Sequence, residues 1–436
     1  MDFAKYESRI RSAPPPSVEG TVHKVVGMLV EVSGMTASVG SQLEIELPDR
    51  KLSLEVFGFR EGHLLAAPLG PTLGVEPGAW VRRRNGAATI PASEAMLGRI
   101  LDAFGNPLDG MPRPLAEGRA ALHAAAPSAF TRRPIHEPLV TRVRAIDALL
   151  PLGKGQRIGL FAGTGVGKST LLGMLCRHSR ADVIVVGLVG ERGREVGDFV
   201  RSALGAEGLA RSVVIAATSD APPFVRVRGA LAATALAEYF RDQGKSVLLL
   251  MDSVTRFAMA MREASLAAGE PPVTKGYTPS VFAALPALLE RTGTCAGEGS
   301  ITAVYTVLVE GDDLQDPIAD AVRGILDGHI VLSRKLADRG LFPAIDLLRS
   351  VSRVAHDICP PAQMRGVARI REHLATYQDA ADLIQIGAYT PGSDPRVDAA
   401  RAAAPKIDGL IRQGLEEAAA YDGALHGLAA VSGVAS

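Results

Sequence analysis

Ala162-Gly163-Thr164-Gly165-Val166-Gly167-Lys168-Ser169 follows the short apolar run Arg157-Ile158-Gly159-Leu160-Phe161 and opens a helix-forming stretch, Lys168 to Arg177. A strand that passes through a glycine-rich turn into a helix aims successive backbone N–H groups at one point, where the helix N-terminus adds positive potential. Phosphate is the ligand for such a cradle. The spacing assigns Lys168 to the β- and γ-phosphates and the Ser169 hydroxyl to Mg²⁺, with Gly163, Thr164, Gly165, Val166, Gly167 and Thr170 lining the turn. Ala162 stands where this pattern ordinarily has glycine, and the three glycines that follow retain the flexibility the turn needs.

Two further strand tips belong on the same edge. Val247-Leu248-Leu249-Leu250-Met251 is wholly apolar and ends in Asp252, the way a buried parallel strand presents a carboxylate at its tip. Beside a phosphate loop such an aspartate holds the shell of a magnesium ion. The run Val183 to Val189 leads into Gly190-Glu191-Arg192-Gly193-Arg194-Glu195. Glu191 is there a candidate general base, since a carboxylate within reach of a water can accept its proton. The alternative for this stretch is a solvated charge run in a loop.

The 436 residues are sufficient for two or three domains, and 47% apolar content allows a large core. Lysine and arginine together number 47, as do aspartate and glutamate, which argues against the basic surface of a nucleic-acid binder. Arg82-Arg83-Arg84 and Arg132-Arg133 are the densest basic runs and read as solvated loops or domain contacts. Cys176, Cys295 and Cys359 lie far apart without metal-ligand spacing, so reduced thiols are expected. No stretch reaches the roughly 18 apolar residues a membrane span needs, and Met1-Asp2-Phe3-Ala4-Lys5-Tyr6 lacks a signal core, so a cytoplasmic protein is expected.

Along the chain, Phe3, Tyr6 and Ile10 would fall on one face of a short helix before Pro14-Pro15-Pro16, a segment that either docks a partner or frays. Short alternating runs such as Thr21 to Val32, Leu43 to Leu47 and Leu52 to Phe57 then read as a small β-barrel. Residues 89 to 140 are proline-rich and are expected to run extended over the surface. From Arg157 to Ser333 strands alternate with helices, the pattern of a parallel sheet with crossover helices, and Ile301 to Val309 and His329 to Leu332 are its later strands. Beyond Cys359 the composition turns helical. The division is 1–17 partner-docking segment, 18–88 barrel, 89–358 nucleotide-binding domain and 359–436 helical domain.

With these residues in view, the chain resembles the ATPase family that includes the α and β subunits of the rotary ATP synthases. Pro343-Ala344-Ile345-Asp346-Leu347-Leu348-Arg349-Ser350-Val351-Ser352 fits that family's pattern, and Gly190 to Glu195 is similar to its catalytic-glutamate loop. Gly269-Glu270-Pro271-Pro272-Val273-Thr274-Lys275-Gly276-Tyr277, Pro279-Ser280-Val281-Phe282, Val309-Glu310-Gly311-Asp312-Asp313, Gly324 to Arg334 and Leu383-Ile384-Gln385-Ile386-Gly387-Ala388-Tyr389 resemble the ATPases of type III export systems, the flagellar one first and the injectisome one second. Arg142 departs from the pattern, which more often has glycine there; one altered turn and intact chemistry are expected.

The resemblance implies an α/β fold with a RecA-like ATPase core between an N-terminal β-barrel and a C-terminal helical domain. It implies ATP and Mg²⁺ as ligands and a homohexamer with its sites at subunit boundaries. Glu191 is then assigned to the attacking water, Arg192 to the site charge, Asp252 to the metal's water shell, and Arg353 to the neighbouring subunit's γ-phosphate as an arginine finger. Phe342 is assigned to the adenine. A stator-like regulator at the N-terminus, a central stalk protein, export chaperone–substrate complexes and a membrane export gate are the implied partners, on the cytoplasmic face of the inner membrane. For Arg353 a structural salt bridge is the alternative, and for Phe342 a place in the core.

Two other functions remain to be distinguished. A non-catalytic ring subunit would lack the Glu191 carboxylate. A ring translocase driven by RNA would carry base-stacking aromatics in a basic N-terminal domain, whereas residues 18–81 offer Phe57, Phe59 and Trp80.

Overall fold

The structure is a computed structural model and describes residues 19–84, 86–309 and 315–434. The N-terminal segment before Glu19 and residues Glu310 to Asp313, both given a place in the reading of the sequence, lie outside the described residues.

Six antiparallel strands close the first unit into a barrel: β1 (Glu19–Val26), β2 (Leu29–Ser33), β3 (Gln42–Glu46), β4 (Lys51–Arg60), β5 (His63–Pro68) and β6 (Trp80–Arg83), in the order β1-β2-β5-β4-β3-β6. Alternation directs one set of side chains inward: Leu43 and Ile45 on β3, and Leu52, Leu54 and Val56 on β4, pack with Val22, Val30, Val32 and Val81. The run Thr21 to Val32 divides into two strands because Gly27, at φ +57°, turns the chain back on itself. Leu266–Glu270 joins this unit from a distant part of the sequence.

The second unit is built on a nine-stranded sheet. Its strands are β8 (Arg99–Leu101), β10 (Arg157–Ala162), β11 (Val183–Val189), β12 (Ser212–Ala217), β13 (Ser246–Asp252), β14 (Gly293–Thr294), β15 (Ser300–Leu308), β16 (Gly328–Val331) and β17 (Val351–Ser352). The order is β17-β16-β10-β15-β13-β11-β12-β8, parallel from β16 to β8, with β14 folded back on β15. All seven residues of β11 are buried, as the two covered faces of a parallel sheet demand. Parallel direction puts the C-terminal tips of β10, β15, β13 and β11 side by side on one edge, where open α/β sheets bind ligands.

The proline-rich stretch after residue 89 does more than link. Thr89–Ala92 (β7) and Gly118–Ala121 (β9) form an antiparallel ribbon, and β8 between them adds the edge strand beside β12. Asp109 fixes β8, accepting from Arg99 Nε at 2.7 Å and from Ile100 N at 3.1 Å. The Arg99 guanidinium holds that carboxyl well below the usual range.

The helices that concern the site are α1 (Lys168–His178), α2 (Pro223–Asp242), α3 (Val254–Ala267), α4 (Pro361–Gln385), α5 (Pro395–Ile411) and α6 (Tyr421–Ser432). α2 is tied to the ribbon by a buried pair: Arg291 donates to both carboxylate oxygens of Glu238, at 3.0 and 2.5 Å, and to Leu122 O at 2.6 Å. The last three helices form the C-terminal bundle, and Ile370, Ile407, Leu410 and Leu428 continue the core beneath the sheet. Among the described residues no helix is long and apolar enough to cross a membrane.

Candidate active site

The phosphate loop begins where β10 ends. Ala162, the position without glycine, is the last residue of that strand, 1% exposed and paired with Leu308, so an ordinary extended backbone suffices there. Gly165 and Gly167 do need glycine, with φ of +78° and +90°, and Gly167 caps α1 in the left-handed conformation. Gly163 and Val166 are buried, whereas Thr164, Gly165, Ser169 and Thr170 are exposed. Both Ser169 and Thr170 stand in the first turn of α1, at the positive end of its dipole.

Around Lys168 the other strand tips assemble a charged group. Lys168 Nζ lies 2.6 Å from Asp252 Oδ1 and 4.0 Å from Glu191 Oε1. β15 stands between β10 and β13 and adds Thr306, whose hydroxyl donates to Asp252 Oδ1 at 2.6 Å. Glu191 is 9% exposed, and its Oε1 accepts no hydrogen bond from the described residues. Burial, then the neighbouring Asp252 charge, pushes its carboxyl up to about 7, against the pull of Lys168 and Arg256. A carboxyl poised at neutrality beside a phosphate loop is suited to take a proton from water.

Arg192, assigned to the site charge, is not in this group. Its side chain is 80% exposed and pairs with Glu195 at 3.1 Å. Besides Lys168, the cation acting on Glu191 is Arg256, on the first turn of α3, which the reading of the sequence passed over. Gly190, at φ +72°, makes room for it, since a Cβ at that position would stand 2.8 Å from Arg256 Cβ. Arg256 Nε is buried without a hydrogen-bond partner among the described residues, as suits a cation awaiting an anion.

An aromatic ring flanks the loop at Gly167. Phe342 is 38% exposed, and its Cδ1 and Cε1 lie 3.2 and 3.3 Å from where a Cβ on Gly167 would be, which leaves the ring over the phosphate loop with an open face. Arg334 braces the same loop, donating to Thr164 O at 2.9 Å. Arg353 follows β17 at the sheet edge and is exposed, away from this chain's own Lys168 group; its backbone N donates to Asp327 O at 3.0 Å.

Known proteins resemble this chain along nearly its whole length. Residues 142–352 match the nucleotide-binding domain of the ATP synthase alpha/beta family, and residues 359–430 the C-terminal domain of the type III secretion ATPase EscN. The flagellum-specific ATP synthase of Pseudomonas aeruginosa is 49% identical over 417 residues, 94% of this chain and 92% of that protein. The chain belongs to the ATP synthase alpha/beta family. Within it, this ATPase is similar to the type 3 secretion system ATPase of Xanthomonas euvesicatoria, at 47% identity over 95% of this chain and 94% of the relative. The assembled EscN of enteropathogenic E. coli superposes with a TM-score of 0.89 at 43% identity, covering 95% of this chain and all of that one. EscN in complex with its central stalk EscO matches at 0.88 and 42% identity, covering 95% of this chain and 100% of that one. The barrel, parallel-sheet core and helical domain expected from the sequence are the architecture found.

Proposed function

We propose that the chain hydrolyses ATP within a homohexameric ring and thereby drives or primes type III export of flagellar proteins, releasing chaperones and delivering substrates to a membrane export gate. The observation that carries this is the Lys168, Asp252 and Glu191 group, with a buried carboxyl raised to about 7 at the mouth of a phosphate loop. Greater identity to a flagellar relative, 49% against 47% for the type 3 secretion enzyme, favours the flagellar system.

In this mechanism the loop's N–H groups and Lys168 hold the β- and γ-phosphates. Occupied by phosphate, Lys168 loosens its bond to Asp252 and frees that carboxylate. The donor set fits Mg²⁺, a hard cation preferring oxygen, which the Ser169 hydroxyl would hold directly and the Asp252 carboxylate would help hold through its water shell. When bound there, the metal supplies neutralisation of the phosphate charge. Glu191 orients the attacking water and accepts its proton, while Arg256 meets charge that gathers on the γ-phosphate. Phe342 stacks on the adenine.

Arg353 completes the site of the next subunit. Its exposure at a sheet edge, distant from its own phosphate loop, supports a role across a boundary, and the assembled form of EscN supports a ring. The complex of EscN with its central stalk supports a stalk-like partner here too.

Replacing Glu191 with Gln tests the core of the reading. Turnover of Mg²⁺–ATP should fall by roughly 10² to 10⁴-fold, the usual worth of a general base, while nucleotide binding persists. In the host bacterium the same variant should fail to restore flagellar assembly. Steady hydrolysis by the variant would remove Glu191 from its role, and ATP binding without turnover in the parent would make the chain a non-catalytic ring subunit.

A further inference from the structure

We infer that Gln413 is a positioning residue of the nucleotide site, tying the C-terminal helical domain to the ring of Phe342; this rests on the reading of Phe342 as the base contact. Gln413 lies between α5 and α6 and is 4% exposed. Every polar atom of its amide is engaged. Nε2 donates to Arg142 O at 2.7 Å and Glu417 O at 2.6 Å, and Oε1 accepts from Arg144 N at 2.8 Å. The three partners also settle which amide atom is nitrogen, because exchanging O and N would set an oxygen against two carbonyls. The main-chain N of the same residue donates to Phe342 O at 2.9 Å.

The far anchor of this link is rigid. Arg142 adopts φ +58°, the left-handed turn for which glycine is the usual residue. Asp147 fixes it, accepting from Thr141 N at 2.8 Å, Thr141 Oγ1 at 2.7 Å and Arg142 N at 2.8 Å. Ala419 N donates to Arg142 O as well, at 3.1 Å. At the near end stands the Phe342 ring against Gly167. A second hold reaches the C-terminus of α1, where Arg177 pairs with Glu416 and His178 Nε2 donates to Leu415 O at 2.9 Å. The segment 412–419 therefore grips the phosphate helix at its end and the base-contacting ring at its backbone. A shift of the helical domain moves Phe342 relative to the loop, and a seated base restrains the domain in return.

The test separates base from phosphate recognition. Gln413→Met keeps side-chain length and deletes the three amide bonds. It should raise KM for ATP roughly tenfold with kcat changed less than about threefold, while inhibition by inorganic tripolyphosphate, which has no base, stays as in the parent. Phe342→Ala should show the same selective loss, and the double variant should be no worse than Phe342→Ala alone. Gln413→Asn, which keeps the amide but shortens it, should fall between parent and Met variant and covers the case in which the latter does not fold.

Equal loss of ATP and tripolyphosphate affinity in the Gln413 variants would mark general loosening and overturn the inference. An unchanged KM for ATP in them, with Phe342→Ala impaired, would break the link while leaving the base contact standing. An unchanged KM in Phe342→Ala would refute the base contact itself, and the inference with it.

Discussion

The two ends of this site are made by different means. The phosphate end draws on contiguous motifs at neighbouring strand tips: residues 162–169, 190–191 and 252–256 converge because β10, β13 and β11 run parallel with β15 inserted. Charge dominates there, and burial together with the Asp252 charge pushes the Glu191 carboxyl up to about 7. The end proposed for the base draws on Phe342, Gln413 and Arg142, joined through backbone carbonyls and one buried amide rather than through charge. The reacting groups thus sit on elements a single sheet edge aligns automatically, whereas the proposed placement of the base depends on the helical segment that follows α5 being docked.

That contrast makes graded predictions. The largest effect is expected from Arg353→Ala, which should lower kcat by about 10³-fold or more while an isolated chain binds ATP as before. Mixing this variant with Lys168→Ala chains and measuring turnover is the check; recovered activity in mixed rings would show that one subunit supplies the arginine and another the loop, and none would return Arg353 to a structural role.

Smaller effects belong to the base end. Phe342→Ala should weaken ATP by roughly five- to 150-fold, the range of about 1–3 kcal/mol for lost stacking, with kcat nearly constant. A drop in kcat of the same size, read from saturation curves, would erase the distinction between the ends.

The smallest concerns stability. Glu191 titrates at about 7 when folded against 4.5 ordinarily, so its contribution is fully present below about 4.5 and is lost as pH rises through 7. Above that, a buried carboxylate burdens the fold, and Glu191→Gln should raise the melting temperature at about pH 8 while changing it little near pH 4. Equal melting shifts at both pH values would contradict the raised carboxyl.

Much of the phosphate end was legible in the sequence, since a glycine loop and a carboxylate at the end of an apolar run are local patterns. Thr306 was not, because its value lies in β15 standing between the loop strand and the Asp252 strand, an order no local pattern reveals. Adjacency to Glu191 misled for Arg192: Gly190 at φ +72° turns the chain, and a helix starts at Gly193, so the neighbouring side chain faces outward. Arg256, four residues beyond Asp252, carried a usable signal, as the first turn of a helix leaving a strand tip must face the same edge. β8 is three residues long in proline-rich text, too short for a visible period. Gln413 had no signal among the Ala, Leu, Gln and Arg residues around it; only tertiary contacts single it out.

The central claim is that a carboxyl raised by its surroundings activates the water. Measuring kcat/KM for ATP against pH, with Mg²⁺ saturating, tests it most directly. A plateau above about 7 that falls tenfold per pH unit below it is the expected result. A profile that stays level down to about pH 5.5 would contradict it, for a base with that carboxyl could not remain ionised there.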